Sequence, residues 1–147
     1  MISAQARLRT ITAKHLGLAS NSLSFFVALL PHVRAALAKQ LPPKHQPLLA
    51  EIDHIQREFL DHRTKLLDKF VGIISESLDA SAQSLASVDW DRRTETVSPF
   101  VTDVLKNVTS MHSVLQKQLP TEQLTEVYAN ILELLNTKIP HHFELVQ

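Results

Sequence analysis

Four long stretches of this chain carry apolar residues at intervals of three and four positions, the spacing of one face of an α-helix. In the first stretch, this row consists of Leu8, Ile11, His15, Leu18, Ser22, Phe25, Leu29, Val33 and Leu37. A second apolar row beside it indicates a helix covered by more than one neighbour. Pro31 falls inside the most apolar piece, "LSFFVALLPHVR", and proline lacks the amide hydrogen of a helix interior. We therefore predict a core helix that bends or restarts at Pro31.

Prolines separate the four stretches and mark the ends of the predicted helices. The segment "LPPKHQP" ends the first helix, and a long amphipathic helix follows from about position 47 to the mid-80s. Residues 86–98 lose the helical period and are rich in charged and hydroxyl side chains, which is typical of a surface loop. Ser98 and Pro99 predict the next helix start, because serine caps free amides and proline suits the first helical position. Pro120 separates this third helix from a fourth.

Long helices with short connections pack as antiparallel neighbours. The fourth helix is expected to end or bend at Pro140. The chain has 147 residues, two glycines and no cysteine, so disulfides and thiolate metal sites are excluded. We predict that residues 1–147 form one all-α domain, an elongated antiparallel bundle of four to five helices.

Several classes of function are disfavoured by the same sequence. A net charge of zero argues against nucleic-acid binding, and the first residues show no secretory signal. The apolar run at residues 23–30 is much shorter than the roughly 20 residues that a transmembrane helix needs, so we predict no membrane span. The chain has no G-x-S-x-G elbow and no glycine-rich nucleotide motif. We therefore expect no catalytic residue, no cofactor and no enzyme activity.

Eight histidines raise the question of a metal site. Glu51 and His54 have the Glu-x-x-His spacing of carboxylate-bridged di-iron bundles, but this element occurs once and His54 lies opposite the apolar row of its helix. No metal site is therefore predicted. His62, at the edge of the inner row, is expected to make a buried polar contact, whereas His141 and His142 are expected to face water.

The charges are distributed unevenly along the chain. Six basic residues precede the first acidic one, Glu51, and they include Arg7, Arg9 and Lys14. The favoured interpretation is that a basic helix packs against acidic ones, and the alternative is a contact for an acidic partner or an anionic membrane. Trp90 in the polar loop is either an anchor for a partner or a ring folded back onto the bundle.

The strings "LRTITAKHLGLASNSLSFFVALLPHVR", "LPPK", "IDHIQREFLDHRTKLLDKFVGII" and "SPFVTDVLKNVTSMHSVLQKQLPTEQ" together resemble the C-terminal domain of the vacuolar protein sorting subunit fifty-four family. These subunits belong to the Golgi-associated retrograde protein (GARP) tethering complex. The resemblance covers about residues 8–135 and is weaker at residues 87–97 and after Pro140.

This resemblance implies a non-catalytic domain of a vesicle-tethering subunit in retrograde transport from endosomes to the trans-Golgi network. Implied partners are the other subunits of the complex, SNARE proteins, small GTPases and the endosomal membrane. The implied location is peripheral, on the cytosolic face of the trans-Golgi network and endosomes. Arg7, Arg9 and Lys14 are the expected contact of such a docking domain. The alternative is a purely structural module that completes and stabilises the helical rod of its subunit.

Overall fold

Four α-helices form the protein in a computed structural model, which describes residues 4–88 and 96–144. Their bounds are Ala4–Gln40 for α1, Leu49–Ala82 for α2, Pro99–Leu115 for α3 and Thr121–Glu144 for α4. Short 3-10 helices, Pro43–Leu48 and Gln83–Ser87, precede and follow α2. No strand occurs in the described part of the chain, and the predicted all-α bundle is confirmed.

The helix boundaries follow the local chemistry of the sequence. Ser98 caps α3 as predicted, because its hydroxyl oxygen accepts a hydrogen bond from the Val101 amide at 3.4 Å. Pro99 occupies the start of that helix. Both α1 and α4 continue through their internal prolines, so the alternatives in which α1 restarts at Pro31 and α4 ends at Pro140 are wrong.

A hydrogen bond from α2 replaces the backbone hydrogen bond that α1 loses at Pro31. Proline has no amide hydrogen, so the carbonyl one turn earlier, that of Val27, loses its partner within the helix. The side chain of Gln56 on α2 donates a hydrogen bond to this carbonyl oxygen at 3.3 Å. A polar side chain of the neighbouring helix thus replaces the missing backbone donor.

The core occupies the end of the bundle where all four helices meet. One cluster of buried residues joins all four helices: Ala13, Leu67, Phe70, Ile74, Met111, Leu115, Leu119, Val127 and Ile131. A second cluster of buried residues lies around the C-terminal end of α2: Leu78, Leu85, Phe100 and Val104. Tyr128 links α4 to α3 beside the first cluster, since its hydroxyl donates to the Val108 carbonyl at 3.0 Å. Burial raises the pKa of Tyr128 to about 12.

The antiparallel pair of α1 and α2 extends beyond this core as a two-helix hairpin. Within the described stretch 21–66, Leu49 is the only buried residue. Phe25 is 64% exposed and Phe26 is 47% exposed. The prediction that "LSFFVALLPHVR" is a core segment is therefore wrong, because α3 and α4 do not reach the hairpin tip and α2 covers only one side of α1.

The sequence argument against a membrane span also needs correction. Because α1 continues through Pro31, its Ala13–Gln40 portion is 28 residues long and meets the length and composition of a membrane-spanning helix. In the structure, this portion lies along α2, and polar side chains join the two helices. Arg34 contacts Asp53 across the pair. Only 11% of the most apolar 18-residue window of this portion is buried, so packing within the fold covers little of its apolar surface, and the length argument against a span is wrong.

Candidate docking surfaces

The predicted basic contact lies at the start of α1. Lys14 is exposed. Arg7 and Arg9 belong to the helical backbone of α1, but their side chains are outside the described residues, and Trp90 lies outside them altogether. The role of these four residues in binding stays a prediction.

Farther along α1, one basic residue pairs with an acidic residue of α2. Arg34 Nε lies 2.7 Å from Asp53 Oδ1, an ion pair without the angle of a hydrogen bond, and both side chains are 42% exposed. Exposed pairs of this kind contribute about 0–1 kcal/mol. At this position, the interpretation that the basic helix packs against an acidic one is correct. Lys14 and Lys39, toward the two ends of α1, make no ion pair among the described residues.

A small buried polar network fixes α1 against the start of α4. Ser20 is fully buried and its hydroxyl donates to Gln123 Oε1 at 3.2 Å. Gln123 Nε2 donates in turn to the Ser24 hydroxyl oxygen at 2.6 Å. Gly17, one turn before Ser20, leaves no room for a Cβ, which would lie 2.9 Å from Gln118 Cβ. Sequence reasoning missed these residues, although the small side chains at positions 13, 17, 20 and 24 follow helical spacing and indicate close packing.

A second polar cluster joins the end of α4 to α2. Asp79 accepts a hydrogen bond from Lys138 Nζ at 2.6 Å, and His142 Nε2 lies 3.1 Å from the other carboxylate oxygen. The hydrogen bond from Lys138 lowers the pKa of the Asp79 carboxyl. His142 is 16% exposed, so the prediction that it faces water is wrong; the continuation of α4 through Pro140 brings its ring to Asp79. His141 is exposed as predicted.

The other histidines lie on the surface. His54 is 58% exposed and lies 3.4 Å from Glu58, which confirms that it points away from the bundle. His62 is exposed, and the expected buried contact is wrong because no helix covers that side of α2. Across residues 4–88 and 96–144, no three His, Asp or Glu side chains converge as metal ligands.

Between α2, α3 and α4 lies a small void that offers no binding pocket. It is lined mainly by apolar groups, including Ile74, Val104 and Leu135, and it has no space for a water molecule. A ligand site would require a larger cavity with a few convergent polar groups. This void is therefore no candidate for a ligand site.

An exposed apolar row runs along the outer side of α1. We call it the outer stripe, and it comprises Leu18, Phe25, Phe26, Leu29, Val33 and Leu37. Each of these side chains is at least 39% exposed. The periodicity placed five of them on one helix face and Phe26 in the neighbouring apolar row, but it assigned both rows to the core. The outer stripe and the basic start of α1 are the two surface features of this helical bundle that are candidates for contacts with other molecules.

Comparison with known proteins gives the family. The family model of the Vps54-like protein matches residues 2–77. The chain is 31% identical to vacuolar protein sorting-associated protein 54 of Mus musculus over 84% of its own length, and 26% identical to that of Drosophila melanogaster over 84%. It is 30% identical over 89% of its length to an Arabidopsis thaliana relative named vacuolar protein sorting-associated protein 54, chloroplastic. The chain belongs to the Vps54-like family.

The match covers a small part of these relatives. The chain spans 12% of the length of the mouse and fly proteins and 13% of the Arabidopsis protein. No solved structure matches the chain.

Proposed function

We propose that this chain is a non-catalytic docking domain of a vesicle-tethering subunit that acts in retrograde transport from endosomes to the trans-Golgi network. In this proposal, the domain works within a GARP-type complex, peripherally bound at the cytosolic face of the trans-Golgi network and endosomes. Its partners are other subunits of the complex, SNARE proteins, small GTPases or the endosomal membrane.

The observation that supports this proposal best is membership of the Vps54-like family together with a bundle whose distinctive groups lie outside. A helical bundle with a long projecting hairpin suits a spacer that presents surfaces to other molecules. Docking through such a surface needs only a modest patch with complementary charge, which mainly sets the rate and selectivity of encounter.

The basic start of α1 is the first contact to test. We expect the triple charge reversal Arg7→Glu, Arg9→Glu, Lys14→Glu to weaken recruitment of the full-length subunit to carrier membranes. Thermal unfolding of the chain should stay nearly unchanged, because surface substitutions usually alter stability by less than about 0.5 kcal/mol. Recruitment is measured by imaging the tagged subunit in cells that lack the natural one.

A matched control reverses three other exposed basic residues, which lie on α2, on α3 and in the turn after α3: Lys69, Lys106 and Lys117. This control changes the net charge of the chain by the same amount. Equal loss of recruitment in both triple variants would point to a general effect of charge and would contradict a specific contact at the start of α1.

The second candidate function is that of a structural module, and the exposed hairpin favours it because another part of the same rod could cover its apolar surface. Deletion of this whole domain from the full-length subunit distinguishes docking from a structural role. A subunit that assembles normally but does not reach its membrane supports docking. A subunit that is degraded or fails to assemble supports the structural role.

A further inference from the structure

The outer stripe of α1 is a continuous apolar face of one helix. Leu18, Phe25, Leu29, Val33 and Leu37 follow one another at intervals of seven, four, four and four, which keeps them on one side of the helix. The exposed residues from Leu18 to Leu37 extend over about 28 Å, at 1.5 Å per residue. This length matches an amphipathic helix of about 20 residues, one of the usual ligands of an apolar helix surface.

The adjoining edge of α2 widens this surface. The rings of Phe26 and Phe59 meet edge to face, with centroids 6.0 Å apart, so the two helices present aromatic groups on the same side of the hairpin. In the register set by this contact, the edge continues with Ile55 on α2 and with Leu48, the last residue of the preceding 3-10 helix; they are 38% and 59% exposed. A helix lying on the outer stripe would therefore contact both members of the hairpin.

The charges around the stripe indicate the chemistry of the partner. Between Lys14 and Lys39, the only residue with a fixed charge is Arg34, and it is paired with Asp53. Both lysines are exposed, so each end of the stripe is positively charged. A partner helix with acidic residues at both ends of its apolar row would complement these lysines.

Acidic residues on the adjoining side of α2 further limit the kinds of partner that fit the outer stripe. Glu51 and Glu58 are exposed and lie one turn before and after Ile55 on α2. They would repel acidic groups on the edge of the partner that lies against α2, and they disfavour an anionic lipid surface on this side. A second copy of the chain fits poorly, since parallel or antiparallel pairing of two stripes brings lysine against lysine at both ends.

We propose that the outer stripe of α1 binds an amphipathic α-helix of another polypeptide segment, apolar on one face, acidic at both ends and free of acidic residues between them. This inference names a kind of partner for the docking domain proposed above, and it rests on that proposed function. The two ideas have separate readouts, because helix binding is measured with the isolated chain and recruitment is measured in cells.

The test uses a fluorescent synthetic helical peptide of about 20 residues. Leucines occupy its contact positions, glutamates occupy both ends and glutamines fill the rest. A second peptide carries lysines in place of the glutamates. Binding to the chain is followed by fluorescence anisotropy at low and high salt, since attraction between exposed charges weakens as salt is added.

The variant for this test replaces three residues of the stripe, Phe25→Gln, Leu29→Gln and Val33→Gln. The matched control also replaces three exposed apolar residues by glutamine, Val101 and Leu105 on α3 and Leu132 on α4, which are 37%, 58% and 62% exposed. We expect the glutamate peptide to bind more tightly than the lysine peptide. The stripe variant should weaken its binding at least about tenfold, while the control variant binds as the parent does. Circular dichroism should show both variants fully helical.

Several results would overturn the proposal. They are absence of binding by the glutamate peptide, a preference for the lysine peptide, and binding that the stripe variant leaves unchanged. Vesicles of phosphatidylcholine with phosphatidylserine and sedimentation of the chain alone complete the test. If the stripe variant abolishes vesicle binding or self-association while no peptide binds, the occupant is a lipid surface or a second copy, and the proposed helix is wrong.

Discussion

Replacement of Gly17 by alanine tests how closely α1 approaches the turn between α3 and α4. A Cβ at this position would lie 2.9 Å from Gln118 Cβ and 3.6 Å from Leu115 Cδ2. The first distance is shorter than real carbon contacts allow, and the position of Gln118 Cβ is fixed by its backbone. The turn therefore has to move away from α1, which strains the packing of Leu115 beneath it.

Two opposing effects determine the size of the change. Alanine favours a helix interior over glycine by about 1 kcal/mol. Overpacking in a well-packed region costs about 1–3 kcal/mol. We expect Gly17→Ala to lower the free energy of unfolding by about 1 kcal/mol. Gly72→Ala is the matched control, because no atom lies within 4 Å of its added Cβ, and it should raise that free energy by about 0.5–1 kcal/mol.

Urea unfolding followed by far-ultraviolet circular dichroism measures both variants by linear extrapolation. The double variant Gly17→Ala, Gln118→Gly removes the opposing Cβ and should be less destabilised than the two single changes added together. If Gly17→Ala stabilises the protein as much as Gly72→Ala does, α1 and the turn are not in close contact and the reasoning fails.

Three further predictions concern other parts of the structure. Ile131 is fully buried, so Ile131→Asn should cost about 3–5 kcal/mol in urea unfolding, whereas the same change at Leu132, which is 62% exposed, should cost little. Gln56→Ala leaves the Val27 carbonyl without its donor and should lower the unfolding free energy by about 1 kcal/mol, with faster hydrogen exchange near that carbonyl. The pKa of the Asp79 carboxyl is lowered in the folded state, so its ionised form stabilises the fold at pH values above the unfolded pKa of about 3.9. This stabilisation is lost as the pH falls through the lower pKa of the folded state. Asp79→Asn should therefore make the free energy of unfolding less dependent on pH in this range, which unfolding at several pH values measures.

The helices themselves could be predicted from local sequence, because the signals that define them are local. Ser98 and Pro99 specify the start of α3 by chemistry within one turn, and Pro120 separates α3 from α4. Ile131 belongs to an apolar row and is buried where three other helices meet. The basic residues of the candidate contact are visible in the sequence, although whether they bind a partner is still a prediction.

Periodicity did not reveal which apolar faces have a partner. Phe25 and Leu29 follow the same spacing as buried residues, but their burial depends on how far α3 and α4 reach along α1. Pro31 was expected to interrupt the helix, and the compensating amide of Gln56 comes from a residue 29 positions away from Val27 in the sequence. A hydrogen bond between residues so far apart in the sequence depends on the register of the two helices, which local sequence does not determine.

The core and the hairpin tip have different roles in this molecule: the core accounts for most of the stability, and the tip carries the proposed binding surface. Substitutions such as Ile131→Asn act by lowering the free energy of unfolding, so a loss of function in such a variant identifies no binding site. The tip contains one buried residue, Leu49, among positions 21–66, and its other contacts are partly exposed, such as the Arg34 to Asp53 pair and the Gln56 hydrogen bond. Segments with few buried contacts open locally at low cost in free energy. A helix bound along the outer stripe would bury Phe25 and Leu29, so it should slow hydrogen exchange most at the tip and least around the core.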